Sequence, residues 1–441
     1  MSFISHSLED QQKMLEAIGV SSLDDLFKDI PAKVRIKDKL EIPTALSEIE
    51  LTTKIEDLAF SQDKLVSFLG AGLYEHYIPA IVDDLSSRSE FYTAYTPYQP
   101  EVSQGTLTAI FEFQSLICKL TGMDLTNASM YDGATSLAEA VLMSTRSNKK
   151  KKILVSKAVH PNYRQVLKTY TWAAELDLQE VEIELGETSC QNLEDQLDDQ
   201  VSCVVVQSPN FLGIIEDLKK IATILATKQV NFILTVTEPL SLALLKKPAD
   251  CGVDITCGEL QSFGNSLSFG GPLLGFIAAK EKFIRLMPGR LVGQTVDAAG
   301  DEAYALTLQT REQHIRRERA TSNICSNEGL LALRTVIYLS YFGNKLKDLA
   351  LLNHKLANYL KSKFSQAGFQ LAFPKPFFNE FGLKVKGARD FLTKLEIEGF
   401  KGGYYLGDLY PDLTETILIC VTEKHSPQVI DDFFAFWEKN R

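Results

Sequence analysis

The sequence has few of the residues that would form a disulfide framework or a metal site. Its 441 residues include seven cysteines, which are scattered and never spaced C-x-x-C. Scattered cysteines are typical of buried thiols in a reducing compartment rather than of disulfides or zinc ligands. The N-terminus has no basic segment followed by an apolar one, and no apolar run is long enough to span a bilayer. We therefore expect a soluble cytoplasmic protein.

Basic residues are also fewer than acidic residues. Lysine and arginine total 46 against 57 acidic residues, which gives a formal charge of −11 and a pI near 5.2. Nucleic acid is thereby excluded as a main partner, because phosphate binding needs a basic footprint. Hydrophobic residues make up 45% of the chain, enough for a sizeable core. The length predicts two or three domains.

Residues 1–60 are predicted to form a helical N-terminal arm. Ser7 precedes a short helix that ends at Gly19, and Ser22 precedes another that stops before Pro31. An arm of this size cannot enclose a core of its own. It is therefore expected to lie on a larger domain or on a partner subunit.

Residues 61–330 alternate between apolar strands and helices. The predicted strands are 153–156, 181–185, 203–207, 231–237, 253–258 and 273–279, and a helix is predicted at 217–227. His160 precedes Pro161, which is predicted at the first position of another helix; His160 is expected to cap or pack rather than act as a base. Such alternation predicts an α/β domain with a mostly parallel sheet covered on both faces.

Residues 331–441 begin with long helical patterns through Phe364 and continue as a smaller α+β unit. Within that unit the predicted strands are 369–373, 381–385 and 417–421, and the predicted helices are 389–396 and 428–438. The sequence shows no internal repeat and no low-complexity linker. The domains should therefore be tightly joined.

Two helix starts stand beside small, polar and aromatic residues. One helix follows the proline-containing loop 95–105 and should end at Gly122, and a second follows the loop 129–133. Ser136 and Glu139, three residues apart, suggest a capping box on the second helix. Backbone N–H groups at both starts could face one cleft and bind an anionic ligand. The alternative is that both loops are turns between core helices.

Six stretches of the sequence are long enough to compare with known families. They are ISHS at 4–7, TPYQPEVSQG at 96–105, ASMYDGATS at 128–136, GNSLSFGGP at 264–272, PGRLVGQTV at 288–296 and TLQTREQHIRRE at 307–318. All six resemble glycine dehydrogenase (decarboxylating), the P-protein family of the glycine cleavage system. The resemblance covers nearly the whole chain. Within the family it is similar to the α subunit of the two-chain type, the equivalent of the N-terminal half of the one-chain type.

The resemblance implies an aspartate-aminotransferase-like fold, that of the fold type I pyridoxal-phosphate enzymes. It also implies a heterotetramer of two α and two β chains, in which β carries pyridoxal phosphate and decarboxylates glycine. The aminomethyl group then passes to the lipoyl arm of the H-protein. The α chain would complete the cleft and lay its arm across it, and the isolated chain is expected to be inactive.

The cofactor chemistry of this fold needs a Schiff-base lysine and an aspartate beside the pyridinium nitrogen. Matched to the β half of the family, the lysine position falls near Gln261 and the aspartate position near Thr237. No lysine occurs between Pro248 and Ala279. The resemblance therefore implies that catalytic and cofactor-binding residues lie in β. No metal site is expected.

The remaining site candidates line an interface or a cleft. They are Tyr95, Tyr98, Gln99, Glu101, Gln104, Ser129, Asp132, His314, Arg316, Arg317 and Asn323. The residues of the 95–104 loop are expected to contact a partner subunit rather than form a plain loop surface, and Asp132 is expected to be a helix start. The basic run 311–319 is either a solvated face or a docking surface for an acidic partner or substrate carboxylate.

Two rival functions remain. One is an independent pyridoxal-phosphate decarboxylase or transaminase that uses a lysine from elsewhere in the chain. The other is a non-catalytic scaffold that stabilises β or docks the lipoyl carrier.

Overall fold

The computed structural model describes residues 6–36, 40–60, 65–324 and 327–440. Cys325 and the first two residues of the 4–7 motif lie outside the described residues. The chain divides into two compact units, Met1–Asp63 and Lys64–Arg441. Among the described residues, no helix is both long and apolar enough to cross a membrane.

The α-helices of the described residues are α1 (Leu8–Ile18), α2 (Glu48–Phe60), α3 (Ala80–Ser86), α4 (Ser89–Tyr92), α5 (Gln104–Thr121), α6 (Gly133–Asn148), α7 (Pro161–Ala173), α8 (Cys190–Gln196), α9 (Leu218–Leu225), α10 (Gln313–Arg316), α11 (Gly329–Phe342), α12 (Leu346–Gln366), α13 (Ala388–Ile397) and α14 (Pro427–Lys439). The strands are β1 (Val66–Ser67), β2 (Leu125–Thr126), β3 (Lys152–Ser156), β4 (Asp177–Val181), β5 (Ile183–Glu184), β6 (Glu187–Thr188), β7 (Val201–Gln207), β8 (Asn231–Val236), β9 (Ile255–Glu259), β10 (Gly275–Ala279), β11 (Leu291–Val296), β12 (Glu302–Thr307), β13 (Glu380–Lys384), β14 (Phe400–Lys401), β15 (Tyr404–Tyr405) and β16 (Thr416–Cys420).

The first unit consists of helical segments with their own caps. Ser7 caps α1 in a reciprocal capping box with Asp10, and Gly19 ends the helix with a left-handed φ of 82°. Ser22 caps a 3-10 helix over Leu23–Phe27. The helix starts and stops predicted for the arm are confirmed, because small hydroxyl residues satisfy the first free N–H groups and glycine adopts the left-handed terminus without strain.

The second unit is built around a seven-stranded sheet in the order β2-β10-β9-β8-β7-β3-β4. The strands from β9 to β4 run parallel, whereas β10 is antiparallel to both of its neighbours. The strands predicted at 153–156, 203–207, 231–237 and 253–258 are confirmed within two residues at each end. The predicted mostly parallel sheet is therefore correct.

Alternate residues of the central strands enter two different cores. On β7, Val204 and Val206 pack with α5, α9 and α11. Cys203 and Val205 pack on the opposite face with α6 and α7. Successive side chains of a strand point to opposite faces, so a strand that is apolar throughout must be covered on both sides.

A third core fills the C-terminal region. The antiparallel sheet β13-β16-β15 is covered by α13, α14 and the end of α12. Helix α12 places Ala350 in the core of the large sheet and Phe364 in the C-terminal core. One continuous helix thus joins the two regions.

Several sequence predictions are wrong in detail. Ser136 and Glu139 do not form a capping box, because α6 begins three residues earlier and Asp132 is its N-cap. No strand forms at 369–373, where Leu371 makes only an isolated bridge to Leu383. The predicted strand at 181–185 is instead the end of β4 followed by β5.

The hairpin of β11 and β12 was not predicted, because its first strand begins in the middle of a family motif and contains a glycine.

Among the described cysteines, Cys203, Cys251, Cys257 and Cys420 are buried, whereas Cys118 and Cys190 are half-buried.

Candidate functional site

The start of α5 is fastened to the β11–β12 hairpin by Gln104. Its side-chain amide donates to the Tyr304 carbonyl at 2.9 Å and accepts from the Tyr304 N–H at 2.9 Å, and it also donates to the Pro100 carbonyl. This bidentate pairing holds the polar loop against a strand. Tyr95, Gln99 and Glu101 on the same loop are exposed. The loop is therefore fixed in place while most of its polar residues face outward.

Tyr98 and His314 are brought together, although they are distant in sequence. Their rings meet edge-on at 5.4 Å, and Arg290 donates to the Tyr98 hydroxyl at 2.9 Å. Arg290 also donates to the Asn327 side chain at 3.2 Å. Glu312 Oε2 lies 3.6 Å from both the Arg290 Nε and the His314 Nδ1. The family motifs 96–105, 288–296 and 307–318 therefore meet in one polar cluster.

The basic run 311–319 does not form a single face. Arg311 is buried and donates to the Met287 carbonyl. Arg316 and Arg317 are exposed at the end of α10. Arg317 and Asn323 line a cleft of about 540 Å³ together with Glu139 of α6. Part of the run is thus structural and part is available to solvent.

Ser129 and Asp132 hold the loop that leads into α6. Ser129 is fully buried, and its hydroxyl accepts from the Glu328 N–H at 3.0 Å. The Asp132 carboxylate accepts from the Thr135 N–H at 2.7 Å. Gly133, the first residue of α6, donates to Glu259 at 2.9 Å. The start of α5 is thus bonded to Tyr304 of β12 and the start of α6 to Glu259 at the end of β9. Arg290 contacts the chain before each helix, through its side chain to Tyr98 and through its carbonyl to the Ala128 N–H.

Thr237 and Gln261 follow neighbouring parallel strands, β8 and β9. Thr237 is buried, and its hydroxyl accepts from the Gln207 amide at 3.1 Å. Gln261 is also buried, and its amide donates to the Asn265 carbonyl. Both side chains are engaged by neutral groups of the chain itself.

A buried charge network lies beside Thr237. His76 contacts Glu238 through Nε2 at 3.0 Å and Glu423 through Nδ1 at 2.9 Å. Burial opposes the charge of His76, but the two carboxylates raise its pKa to about 10. Burial likewise opposes ionisation of Glu423, yet the contact with His76 lowers the pKa of that carboxyl to about 2. Asn379 donates to Glu238 at 3.0 Å. The network thus pairs each ring nitrogen of His76 with a glutamate side chain.

The family model of the glycine cleavage system P-protein matches residues 1–437. The chain belongs to this family.

Among its P-protein relatives is a protein of Geobacillus kaustophilus named probable glycine dehydrogenase (decarboxylating) subunit 1. That protein is 50% identical over 430 residues and is aligned over 96% of each chain. A crystal structure of a glycine decarboxylase (P-protein) of the glycine cleavage system, in inhibitor-bound form, is 39% identical. It superposes with a TM-score of 0.88 and is aligned over 100% of both chains.

A more distant likeness concerns the fold. Glutamate decarboxylase of Lactobacillus brevis is 12% identical, with a TM-score of 0.69 over 92% of this chain and 96% of that one. The predicted aspartate-aminotransferase-like fold is confirmed by these structures.

The residues of this P-protein family member do not fit a pyridoxal phosphate. A Schiff base needs an amine, and the stretch between Pro248 and Ala279, where the lysine is expected near Gln261, contains no lysine. The pyridinium nitrogen needs an anionic partner to act as an electron sink, and Thr237 is neutral. The N–H of Gly133 at the start of α6, which could receive a phosphate, donates to Glu259. Gln261 and Thr237 thus supply neither an amine nor a carboxylate, and the Gly133 N–H is already bonded within the chain.

The sequence did not predict three buried polar residues near the expected cofactor positions: His76, Glu238 and Glu259. The two glutamates had a weak signal, since each stands at the end of an apolar strand where a buried carboxylate is unusual. His76 had none, because its partners are 162 and 347 residues away.

Proposed function

We propose that this chain is the α subunit of a two-chain glycine dehydrogenase (decarboxylating). Its partner β subunit carries pyridoxal phosphate, decarboxylates glycine and passes the aminomethyl group to the lipoyl arm of the H-protein. The observation that carries the proposal is a full-length match to subunit 1 proteins in a chain whose cofactor positions hold Gln261 and Thr237. A catalytic fold without its catalytic groups is expected of a subunit that supports chemistry elsewhere.

The N-terminal unit supports the need for a partner. Large apolar side chains lie exposed on both of its long helices, among them Leu8 and Ile18 of α1 and Ile49 and Ile55 of α2. Exposed apolar side chains on an amphipathic segment are typical of a binding surface. We propose that this arm lies across the β subunit.

The polar cluster around Tyr98 offers a second contact surface. Tyrosine and arginine side chains are enriched in protein interfaces. We propose that Tyr95, Tyr98, Gln99 and Glu101 meet the β subunit at the rim of its active site. The assembly is proposed to hold two α and two β chains in the cytoplasm.

The experiment is co-expression with a cognate β chain, followed by gel filtration and an assay of carbon dioxide exchange into glycine. The proposal predicts a stable complex that buries more than about 2,000 Å², as obligate interfaces do. It also predicts exchange by the complex and none by this chain alone. Exchange by the isolated chain would instead support an independent enzyme.

Full exchange by β without this chain would support a scaffold. A matched control variant is Trp172→Ala on α7, which removes an exposed aromatic side chain far from the loop in sequence. It should leave the complex intact, whereas Tyr95→Ala combined with Tyr98→Ala should weaken it.

A further inference from the structure

The Glu259 carboxylate is held by three backbone N–H groups from three separate segments. Gly133 donates to one carboxylate oxygen at 2.9 Å. Gln261 and Leu274 donate to the other at 3.0 and 2.8 Å. Glu259 is 1% exposed. Three backbone N–H groups that converge on one carboxylate form the kind of site that binds an anionic ligand.

The start of α6 is the electropositive part of this pocket. Its first N–H groups have no partner within the helix and carry the positive end of the helix dipole. Glu259 takes the N–H of Gly133, and Asp132 takes the N–H of Thr135 at 2.7 Å. The dipole favours an anion at this position. Burial raises the pKa of the Glu259 carboxyl to about 7, so the chain itself supplies that anion above this pH.

Gly133 is needed for the close approach. A Cβ at this position would lie 2.1 Å from the Tyr163 hydroxyl and 3.0 Å from the Glu259 backbone nitrogen. Any larger residue would push α6 away from the end of β9. The pocket is therefore shaped around the Glu259 carboxylate and the helix start together.

We propose that the backbone N–H groups of Gly133, Gln261 and Leu274 form an oxyanion pocket that the Glu259 carboxylate occupies permanently. An external anion such as a phosphate ester therefore cannot bind to these donors. The inference rests on the proposed function and deepens it. It explains why the pocket between the start of α6 and the end of β9 would not bind the phosphate of a cofactor. Replacing Gln261 alone would leave the anion donors occupied.

The test is chemical rescue of Glu259→Ala in the full-length chain. The substitution removes a group the size of acetate and leaves three buried donors without a partner. We expect Tm to fall by roughly 5 °C or more. Acetate and formate, at a pH where both are ionised, should then raise Tm saturably, while chloride at equal ionic strength should not.

The matched control is Leu260→Ala, which opens a cavity at the adjacent buried position without removing a hydrogen-bond acceptor. Neither Leu260→Ala nor the wild-type chain should respond to acetate beyond the effect of chloride. Equal responses in all three proteins, or no response of Glu259→Ala, would overturn the proposal.

Glu259→Gln decides the question even if the alanine variant does not fold. The amide fills the cavity but turns an N–H₂ group toward backbone donors, so we expect lower stability without rescue by acetate. A glutamine variant as stable as the wild type would show that the negative charge is unnecessary and would overturn the proposal. Both readouts are stability of this chain, so their failure is separate from failure of complex formation.

Discussion

Replacing His76 with leucine should destabilise the protein strongly, because two buried carboxylates would lose the cation between them. His76 is 6% exposed, and Glu238 and Glu423 each contact one of its ring nitrogens. Removing one member of a buried ionic network leaves uncompensated charge and costs about 3–5 kcal/mol. We expect a loss of unfolding free energy of that size near neutral pH.

The pH dependence follows from the shifted pKa values. The pKa of His76 in the folded state, about 10, lies above its ordinary value of 6.5. Its contribution is therefore complete below pH 6.5 and is lost as pH rises through 10. The pKa of Glu423, about 2, lies below its ordinary 4.5. That contribution is complete above 4.5 and is lost as pH falls through 2. The difference between wild type and variant should be largest between these two ordinary values.

The assay is urea or thermal unfolding of both proteins across this pH range. A suitable control is His354→Leu, since His354 bonds to the Phe378 carbonyl at 2.8 Å and to an amide rather than to carboxylates. A His76→Leu protein within about 1 kcal/mol of wild type would show that the two glutamates do not depend on His76. So would a difference that stays constant between neutral and strongly alkaline pH.

Three further predictions concern the cofactor positions, the basic run and the α5 clamp. Gln261→Lys should show no aldimine absorbance band and release no labelled carbon dioxide from glycine without β, because Glu259 still occupies the backbone donors; decarboxylation by this variant would show that the chain can carry the chemistry itself. If the basic run docks an acidic partner, replacing Arg316 and Arg317 with alanine should slow its association and flatten the salt dependence; an unchanged rate at low salt would make the run a solvated face. Gln104→Ala should cost about 1–3 kcal/mol, because it leaves backbone groups of the hairpin unpaired; hydrogen exchange that stays as slow as in wild type at the Tyr304 N–H would contradict this.

Local pattern was sufficient to predict the sheet and most helix ends. The apolar run of β7 could only be a strand covered on both faces, and Gly122 ends α5 with a left-handed φ of 74°. The capping box on α6 failed because Asp132, three residues ahead of Thr135, is the better-placed cap. Local sequence thus predicts the end of a helix well when a single residue is clearly the best cap.

The candidate site depended on contacts that no local pattern contains. The donors to Glu259 come from residues 126 positions before it and 15 positions after it, as well as from its neighbour Gln261. The absence of lysine could be read directly from the sequence, whereas the filling of the anion pocket could not. The family resemblance indicated that a lysine is missing, and the structure showed that the Glu259 side chain occupies the backbone donors.

The chain that carries the cofactor in the α–β complex can be identified by trapping the Schiff base. Borohydride reduction of the α–β complex would fix the Schiff base as a stable phosphopyridoxyl group, and mass spectrometry of the separated chains would locate it. We predict the adduct on the β subunit and an unmodified mass for this chain. An adduct on a lysine of this chain at the stoichiometry of the active site would contradict the account.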